Sequence, residues 1–236
     1  MIKAVVTGHS RGLGAAVAAE LVARGIPVLG LARGHAEIGE GMQQAVVDLG
    51  DAAALAAWLG GHTLRSFLAG CDTALLVNNA GVVTPVGPLA EQDPVAALQS
   101  AVLNVAAPLA LSAAFVQAAP QAERRILHVS SGAGRSAYPG WSVYCATKAA
   151  LDQHARAVAL DADPRVRAVS LAPGVIDTDM QAEIRATPDQ RFPLKQRFVD
   201  MKEGGVLATP ADCAVGLVDY LLGKRFGQEA VDDLRN

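Results

Sequence analysis

Short apolar runs alternate with Ala-rich stretches of helical character along most of the 236-residue chain. The apolar runs predict strands near residues 2–6, 28–32, 45–48, 74–77, 125–129 and 166–171. The longer stretches predict helices near residues 12–24, 51–59, 95–119, 142–162 and 210–222. Such alternation is typical of a parallel sheet covered by helices on both faces. We therefore predict an α/β fold with a doubly wound parallel sheet.

No repeat, low-complexity tract or long linker divides the chain, so residues 1–236 are expected to form a single domain. Hydrophobic residues make up 51% of the sequence and aromatic residues only 4%, which predicts a core built from Ala, Val and Leu. Only about a dozen residues, Arg33 to Gln44, separate the second and third predicted strands. The helix that usually crosses over between such strands is expected to be absent or a single turn.

Charge and cysteine content limit the partners. The formal net charge is −3 and no basic stripe is present, which argues against nucleic acid or an anionic membrane as a partner. Cys71, Cys145 and Cys213 are widely spaced, as expected for free thiols in a reducing cytoplasm, and no Cys or His spacing predicts a metal site. No leader segment and no uninterrupted apolar run of ~20 residues is visible, so a cytoplasmic location is expected.

The first predicted strand, Ile2–Val6, runs into a glycine-rich turn, Thr7–Gly14, and then into an Ala-rich helix. Backbone N–H groups at such a helix start can receive a pyrophosphate, and the glycines allow close approach. The alternative is a helix cap with structural glycines. The position of the turn, directly after the first strand, favours a dinucleotide site.

A second motif lies in the predicted helix near 142–162. Tyr144 and Lys148 stand four residues apart, so both side chains lie on one helix face. A phenol titrates near pH ~10, and a neighbouring cation favours its ionised form. Ser131 follows the predicted strand near 125–129 and can hydrogen-bond a substrate carbonyl beside the phenol. Alone, such a Tyr/Lys pair is usually found on the surface of an amphipathic helix.

Together, these motifs resemble the classical short-chain dehydrogenase/reductase family over nearly the whole chain. The residues that carry the resemblance are Thr7, Gly8, Gly12, Gly14, Asp48, Asn78–Gly81, Asn104, Ser131, Tyr144, Lys148, Pro173, Gly174 and Thr178. Within the family, the segments 140–145, 177–181 and 230–232 look like the sepiapterin reductase branch, and 77–89 is similar to bacterial benzil reductases of that branch. The resemblance implies a Rossmann fold and reduction of a ketone or diketone.

The resemblance also implies a nicotinamide cofactor and the residues that hold it. These are Gly8, Ser10, Arg11, Gly12, Leu13, Gly14, Arg33, Asp48, Leu49, Asn79, Ala80, Gly81, Tyr144, Lys148, Pro173, Gly174, Val175, Ile176 and Thr178. The second strand ends in Ala32-Arg33 and carries no acidic residue there, while Arg11 lies in the glycine-rich turn. Two arginines and no carboxylate favour NADPH over NADH. The alternative is that either arginine is solvated or stacks on adenine.

For catalysis, the resemblance implies a tetrad of Asn104, Ser131, Tyr144 and Lys148, in which Tyr144 donates the proton, Ser131 polarises the carbonyl and Lys148 lowers the pKa of Tyr144. Asn104 would link Lys148 to solvent through a water; the alternative is a buried structural Asn.

Substrate contacts are expected from Ser131, Tyr144, Trp141, Met180 and Asp232, with specificity in helices joined by a mobile lid at about 179–205. The alternative for Trp141 is a packing role, which explains its position nearly as well. The alternative for Asp232 is a carboxylate in a surface tail. The family also implies a homodimer or homotetramer, through the helices near 95–119 and 142–162. A protein of another class, an NADP-binding regulatory scaffold without turnover, is the alternative function.

Overall fold

A computed structural model describes residues 1–37, 39–161 and 163–236. The strands in this part of the chain are β1 (Ile2–Thr7), β2 (Val28–Ala32), β3 (Met42–Val46), β4 (Thr73–Asn78), β5 (Glu123–Val129), β6 (Val166–Ala172) and β7 (Val231–Asp233). They form one parallel sheet in the order β3-β2-β1-β4-β5-β6-β7, which confirms the predicted doubly wound parallel sheet. The third strand begins three residues earlier than predicted, and β7 is too short and too polar for its sequence to have indicated a strand.

The helices in the described residues are α1 (Gly12–Ala23), α2 (Ala52–Leu59), α3 (Thr63–Leu68), α4 (Pro94–Ala101), α5 (Ala107–Ala118), α6 (Ser142–Val158), α7 (Asp179–Ala186), α8 (Lys195–Glu203) and α9 (Pro210–Leu222). Every predicted helix is present, although the helix predicted over 142–162 ends at Val158, and residue 162 lies outside the described residues. A π-helical turn, Val102–Ala106, joins α4 to α5.

Alternating side chains of the central strands enter two separate cores. Ala4 and Val6 of β1 pack in the layer that contains α1 and α9, whereas Val5 packs in the layer formed by α2, α3, α5 and α6. Burial on both faces explains why the strands are continuous apolar runs. This two-layer packing leaves the carboxyl ends of β1, β4, β5 and β6 side by side at one edge of the sheet.

The crossover between β2 and β3 has no helix in its described residues, as the short spacing predicts. A side-chain clamp is present instead. The Gln44 Oε1 atom accepts hydrogen bonds from Ala36 N and His9 Nε2, both at 2.8 Å, and Gln44 Nε2 donates to Ala36 O at 2.9 Å. Because Oε1 is an acceptor, the fully buried His9 must carry its proton on Nε2. The clamp ties the crossover to the glycine-rich turn.

The helical stretch Pro94–Ala118 is long and apolar enough to cross a membrane by length and composition alone, with a mean hydropathy of 1.7. Gln99, Ser100 and Asn104 interrupt this stretch, so it agrees with the expectation that no uninterrupted apolar run of ~20 residues occurs. Its α5 half packs against the sheet through Ala107, Leu111 and Phe115, and Asn104 interrupts it with a buried polar group. These contacts favour a core helix.

The clamp leads to a stability prediction. Gln44→Ala removes the partner of the His9 N–H and of the Ala36 N–H, and unpaired buried donors are costly. We expect it to lower the free energy of unfolding by about 1–3 kcal/mol, measured by urea denaturation. Gln43→Ala, on the exposed neighbouring position of β3, is the matched control. If both variants lost the same free energy of unfolding, the Gln44 hydrogen bonds would not be the source of the stabilisation.

Candidate active site

A cavity of about 1040 Å³ opens at the carboxyl ends of the central strands. It is lined by the loops that follow the six strands β1 to β6, together with residues of α4, α6, α7 and α8. Most residues predicted for the site line it: Gly8, Ser10, Arg11, Gly12, Leu13, Arg33, Asp48, Leu49, Asn79, Ala80, Gly81, Ser131, Trp141, Tyr144, Lys148, Pro173, Gly174, Val175, Ile176, Thr178 and Met180. Gly14, Asn104 and Asp232 are not among its lining residues.

The start of α1 faces this cavity without a capping group. The residue before the helix, Arg11, makes no side-chain cap hydrogen bond, and the first turn holds no acidic residue. A helix start of this kind presents unpaired N–H groups and a positive dipole end. Both features suit a pyrophosphate.

Gly14 supports this turn from behind. A Cβ atom at residue 14 would lie 2.2 Å from Gly8 O and 2.4 Å from Asn79 Nδ2, so only glycine fits. The Asn79 side chain donates to Thr7 O at 3.0 Å, and its backbone N–H donates to Thr7 Oγ1 at 2.9 Å. Gly14 therefore contributes by allowing close packing, and its contact with the cofactor stays a prediction.

The two predicted phosphate-binding arginines differ in their surroundings. Arg11 donates to Asp179 Oδ2 at 3.2 Å, and both side chains are largely exposed. Arg33 is also exposed, at the cavity wall beyond β2. Sequence reasoning missed Asp179 as a competitor for Arg11, because the two residues are 168 positions apart. The exposed Arg11–Asp179 pair is worth little, and a phosphate can displace it.

At the far end of the cavity, Asp48 caps the turn after β3 by accepting from Gly50 N at 2.8 Å, and the buried Leu49 completes that wall. Asn78, at the end of β4, is buried and hydrogen-bonds Ser112 and His128, which gives it a structural place in the sheet.

Tyr144, Lys148 and Ser131 come together at the centre of the cavity. Lys148 Nζ lies 5.6 Å from the centroid of the Tyr144 ring and donates to Val129 O at 2.8 Å. Tyr144 and Lys148 are both buried on the inner face of α6. Ser131 ends the loop after β5, and its Oγ atom accepts from Ala133 N at 3.2 Å. Sheet and helix thus bring together residues that are up to 17 positions apart.

Burial dominates the pKa values of this group. It raises the pKa of Tyr144 to about 12, and the hydrogen bond with Ser131 opposes that rise. It lowers the pKa of Lys148 to about 8, and the Asp152 carboxylate opposes that fall. Desolvation disfavours the charged form of each residue. Burial, rather than Lys148, therefore sets the pKa of Tyr144 in the structure, contrary to the expected lowering.

Asn104 lies in the π-helical turn between α4 and α5. Its Oδ1 accepts from Val82 N at 2.9 Å, and its Nδ2 donates to Val82 O at 2.8 Å. A Cβ atom on Gly81 would lie 3.1 Å from Asn104 Oδ1 and 3.8 Å from Lys148 Nζ, so the amide is close to the lysine. The buried amide lies behind the cavity wall, where it holds Val82 in place.

Trp141 joins the Tyr144 helix to the predicted substrate segment. Its ring stacks on Phe192 at 4.6 Å and meets Tyr144 edge-on at 5.3 Å. Phe192 and Phe198 are buried against it, and Met180 packs on the same cluster at the cavity wall. Trp141 therefore does both things that the sequence left open, since it packs in an aromatic cluster and lines the cavity.

The structure separates Asp232 from the cavity. Its carboxylate accepts from the Tyr220 hydroxyl at 2.9 Å and lies 3.8 Å from Arg225. Asp232 is not among the residues that line the cavity, and its contact with a substrate stays a prediction. Arg235, three residues on, lines the cavity instead.

Sequence reasoning missed other residues of the cavity wall: Tyr138, Gln181, Ile184, Arg197, Phe198, Met201 and Arg235. The segment 179–205 was expected to hold specificity residues, but its sequence did not indicate which side chains face inward. Within the described residues no group of three or more His, Cys, Asp or Glu residues could hold a metal ion. That the site needs no metal stays a prediction.

Comparison with known proteins agrees with this geometry. A family model described as short chain dehydrogenase matches residues 3–189. A benzil reductase ((S)-benzoin forming) of Bacillus cereus is 30% identical, and the alignment covers 96% of each chain. A sepiapterin reductase of Xenopus laevis is 32% identical over 92% of this chain and 89% of that one. A crystal structure of a short-chain dehydrogenase/reductase from Burkholderia vietnamiensis superposes with a TM-score of 0.72 at 48% identity, covering 100% of this chain and 97% of that one.

The lowered pKa of Lys148 predicts how stability depends on pH. Between the folded pKa of about 8 and the unfolded value of 10.5, the unfolded chain binds more protons, so the free energy of unfolding rises with pH. Lys148→Met abolishes this contribution. We expect the free energy of unfolding of the parent, relative to that of Lys148→Met, to rise by about 2 kcal/mol from about pH 7.5 to 9.5. The measurement is urea denaturation at each pH.

Lys224→Met, at an exposed position, is the matched control for the loss of one lysine. The stability of the parent relative to Lys148→Met should change with pH, and its stability relative to Lys224→Met should not. A constant value for Lys148→Met, or an equal rise for Lys224→Met, would show that burial of Lys148 does not cause the pH dependence.

Proposed function

The chain belongs to the short-chain dehydrogenase family, and on that basis we propose that it is an NADPH-dependent reductase of a ketone or diketone. The observation that carries the proposal is a buried phenol beside a serine hydroxyl and a buried ammonium, in a cavity large enough for a dinucleotide and a small substrate. Benzil and sepiapterin reductases as relatives support a substrate with neighbouring carbonyl groups.

The protonation of the site suits reduction. With a pKa of about 12, Tyr144 keeps its proton at neutral pH and has one to donate. With a pKa of about 8, Lys148 remains largely charged there. A positioned acid must be protonated before it can assist reduction of a carbonyl. This balance favours reduction over the reverse oxidation near pH 7.

NADPH, when bound, supplies the hydride that reduces the carbonyl carbon. In our proposal Tyr144 donates its proton to the carbonyl oxygen, and the Ser131 hydroxyl donates a hydrogen bond to the same oxygen. The charge of Lys148 stabilises the phenolate that remains. Asn104 keeps the wall beside Lys148 in place through Val82, and we retain for it the role of linking Lys148 to a water.

Several features of the cavity support a place for the cofactor. We place the pyrophosphate at the uncapped start of α1 and the adenosine between Arg33 and Asp48. Pro173 and Thr178, in the loop after β6, would hold the nicotinamide end. The 2′-phosphate would lie between Arg11 and Arg33, with Arg11 released from Asp179. Trp141 and Met180 would contact the substrate.

We further propose that the protein acts in the cytoplasm as a homodimer or homotetramer of single-domain subunits. Exposed apolar side chains on α4 and in the turn before it support self-association: Leu89, Val95 and Leu98 have 79%, 61% and 66% of their surface exposed. An apolar patch of this kind is typical of an interface. Neither nucleic acid nor a membrane is proposed as a partner.

Tyr144→Phe tests the proposed chemistry. The ring still packs against Trp141, but the proton donor is lost, so we expect turnover to fall by roughly 10²-fold or more while NADPH affinity stays nearly unchanged. The measurement is NADPH oxidation with a panel of 1,2-diketones, together with an NADPH-binding titration. Tyr220→Phe, on α9, is the matched control.

The two outcomes of that experiment separate the functions. A parent protein that binds NADPH but reduces no diketone in a broad panel would support the regulatory scaffold instead. A Tyr144→Phe protein that kept more than a few per cent of the parent rate would show that the acid is a different residue.

Cofactor choice has its own test. Replacing Ala32 by Asp and Arg33 by Ala puts a carboxylate where the 2′-phosphate should lie and removes one cation. We expect kcat/KM with NADPH to fall by roughly 10²-fold relative to NADH, because charge-assisted hydrogen bonds contribute about 1.5–3 kcal/mol. Arg65→Ala, an exposed arginine on α3, is the control. Equal efficiencies with both cofactors in the parent would refute the NADPH assignment.

A further inference from the structure

We infer that Asp152 is a positioning residue of the active site: its buried carboxylate holds the Ser131 turn against α6 and balances the charge of Lys148. The inference rests on the proposed function, because it treats Ser131 and Lys148 as catalytic residues. Neither the sequence motifs nor the comparisons draw attention to Asp152. It lies one helical turn beyond Lys148 and is only 1% exposed.

The Asp152 carboxylate joins the ends of two strands. Its Oδ1 atom accepts hydrogen bonds from Ser130 Oγ and from Ser170 Oγ, both at 2.7 Å. Ser130 directly precedes Ser131, and Ser170 lies on β6 ahead of the loop proposed to hold the nicotinamide. A buried carboxylate needs such donors, because burial without them is very costly. Asp152 thus fixes the residue before Ser131 and the C-terminal part of β6 to one point on α6.

The turn after Ser131 packs directly on the same point. A Cβ atom at Gly134 would lie 3.0 Å from Asp152 Oδ2 and 3.1 Å from the Lys148 carbonyl oxygen. The absence of a side chain at Gly134 lets the turn approach α6 this closely. The distance between Ser131 and the Tyr144–Lys148 pair therefore depends on what occupies position 152.

Arg135 extends the network to the C-terminal tail. Its Nε lies 3.4 Å from Asp152 Oδ2, and one of its terminal nitrogens donates to Asp232 O at 2.7 Å. The tail continues from there to Arg235 at the cavity wall. Asp152 therefore connects α6 to the Ser131 turn and, through Arg135, to the C-terminal tail.

Electrostatics give Asp152 a role that packing alone would not. Burial lowers the pKa of Lys148, and the negative charge of Asp152 opposes that fall. The other titratable or charged groups around this pair are Tyr144 on α6, His128 on β5 and Arg135 from the turn. From the wall on the other side, the neutral amide of Asn104 and the backbone of Gly81 lie beside Lys148. Within the described part of the chain, Asp152 is therefore the carboxylate whose charge favours the charged form of Lys148.

The test uses Asp152→Asn, which keeps an oxygen for Ser130 and Ser170 but removes the charge. Asp161→Asn, an exposed carboxylate just beyond the end of α6, is the matched control. The chain has five lysines, so their side-chain NMR signals can be titrated directly, and Lys148→Arg assigns the signal of Lys148. We expect Asp152→Asn to lower the pKa of Lys148 by on the order of one pH unit, and Asp161→Asn to leave it unchanged.

Kinetics provide the second measurement. We expect Asp152→Asn to lower kcat for diketone reduction by roughly tenfold or more, with KM for NADPH within about twofold of the parent, because misplaced catalytic groups affect the chemical step most. A folded Asp152→Asn protein with the parent pKa of Lys148 and the parent kcat would overturn the inference. So would loss of activity with an unchanged Lys148 titration, since that result describes a purely structural residue.

Arg135→Gln covers the case in which Asp152→Asn does not fold. Arg135 is partly exposed, and its removal leaves the Asp152 charge to act on Lys148 alone, so the pKa of Lys148 should rise. An unchanged pKa would overturn the inference. If the parent protein reduces no diketone, the proposed function fails, but the Lys148 titration still decides whether Asp152 acts on the lysine.

Discussion

The burial of a lysine charge at the centre of the fold is the constraint to which the rest of the site conforms. Lys148 is 5% exposed on the inner face of α6, yet its pKa of about 8 keeps it mostly charged at neutral pH. Such a charge persists only with a hydrogen-bond acceptor and a nearby anion. The Val129 carbonyl and the Asp152 carboxylate provide them, and both place the end of β5 close to α6.

The sequence was sufficient for most of the fold because its strands are buried on both faces. Continuous apolar runs predicted β1, β2, β4, β5 and β6 to within about two residues at either end. It failed at β7, where three residues, Val231–Asp233, pair with β6 through their backbone and carry no apolar pattern. It also missed α3, which is six residues long and half exposed. Short elements depend on tertiary contacts that no local pattern records.

The active-site residues also fall into two groups, those that local sequence motifs predict and those that depend on tertiary contacts. Gly-rich turns and the Tyr144–Lys148 spacing are local motifs, so the sequence could identify them and the topology brought them together. The pairing of Arg11 with Asp179 and the position of Asp232 depend on contacts between distant segments. The pKa of Tyr144 was also beyond reach, because desolvation depends on how completely Trp141 and the neighbouring core enclose the ring.

The stacking of Trp141 on Phe192 has a consequence for how the protein can be studied. The chain has two tryptophans, and the other, Trp58, lies on α2 and packs in a different hydrophobic cluster from Trp141. The Trp141 indole contacts Tyr144 on one side and the 187–198 segment on the other, so movement of that segment changes the surroundings of the ring. With Trp58 replaced by Phe, the emission of Trp141 becomes an intrinsic optical reporter of how the substrate side of the cavity opens and closes.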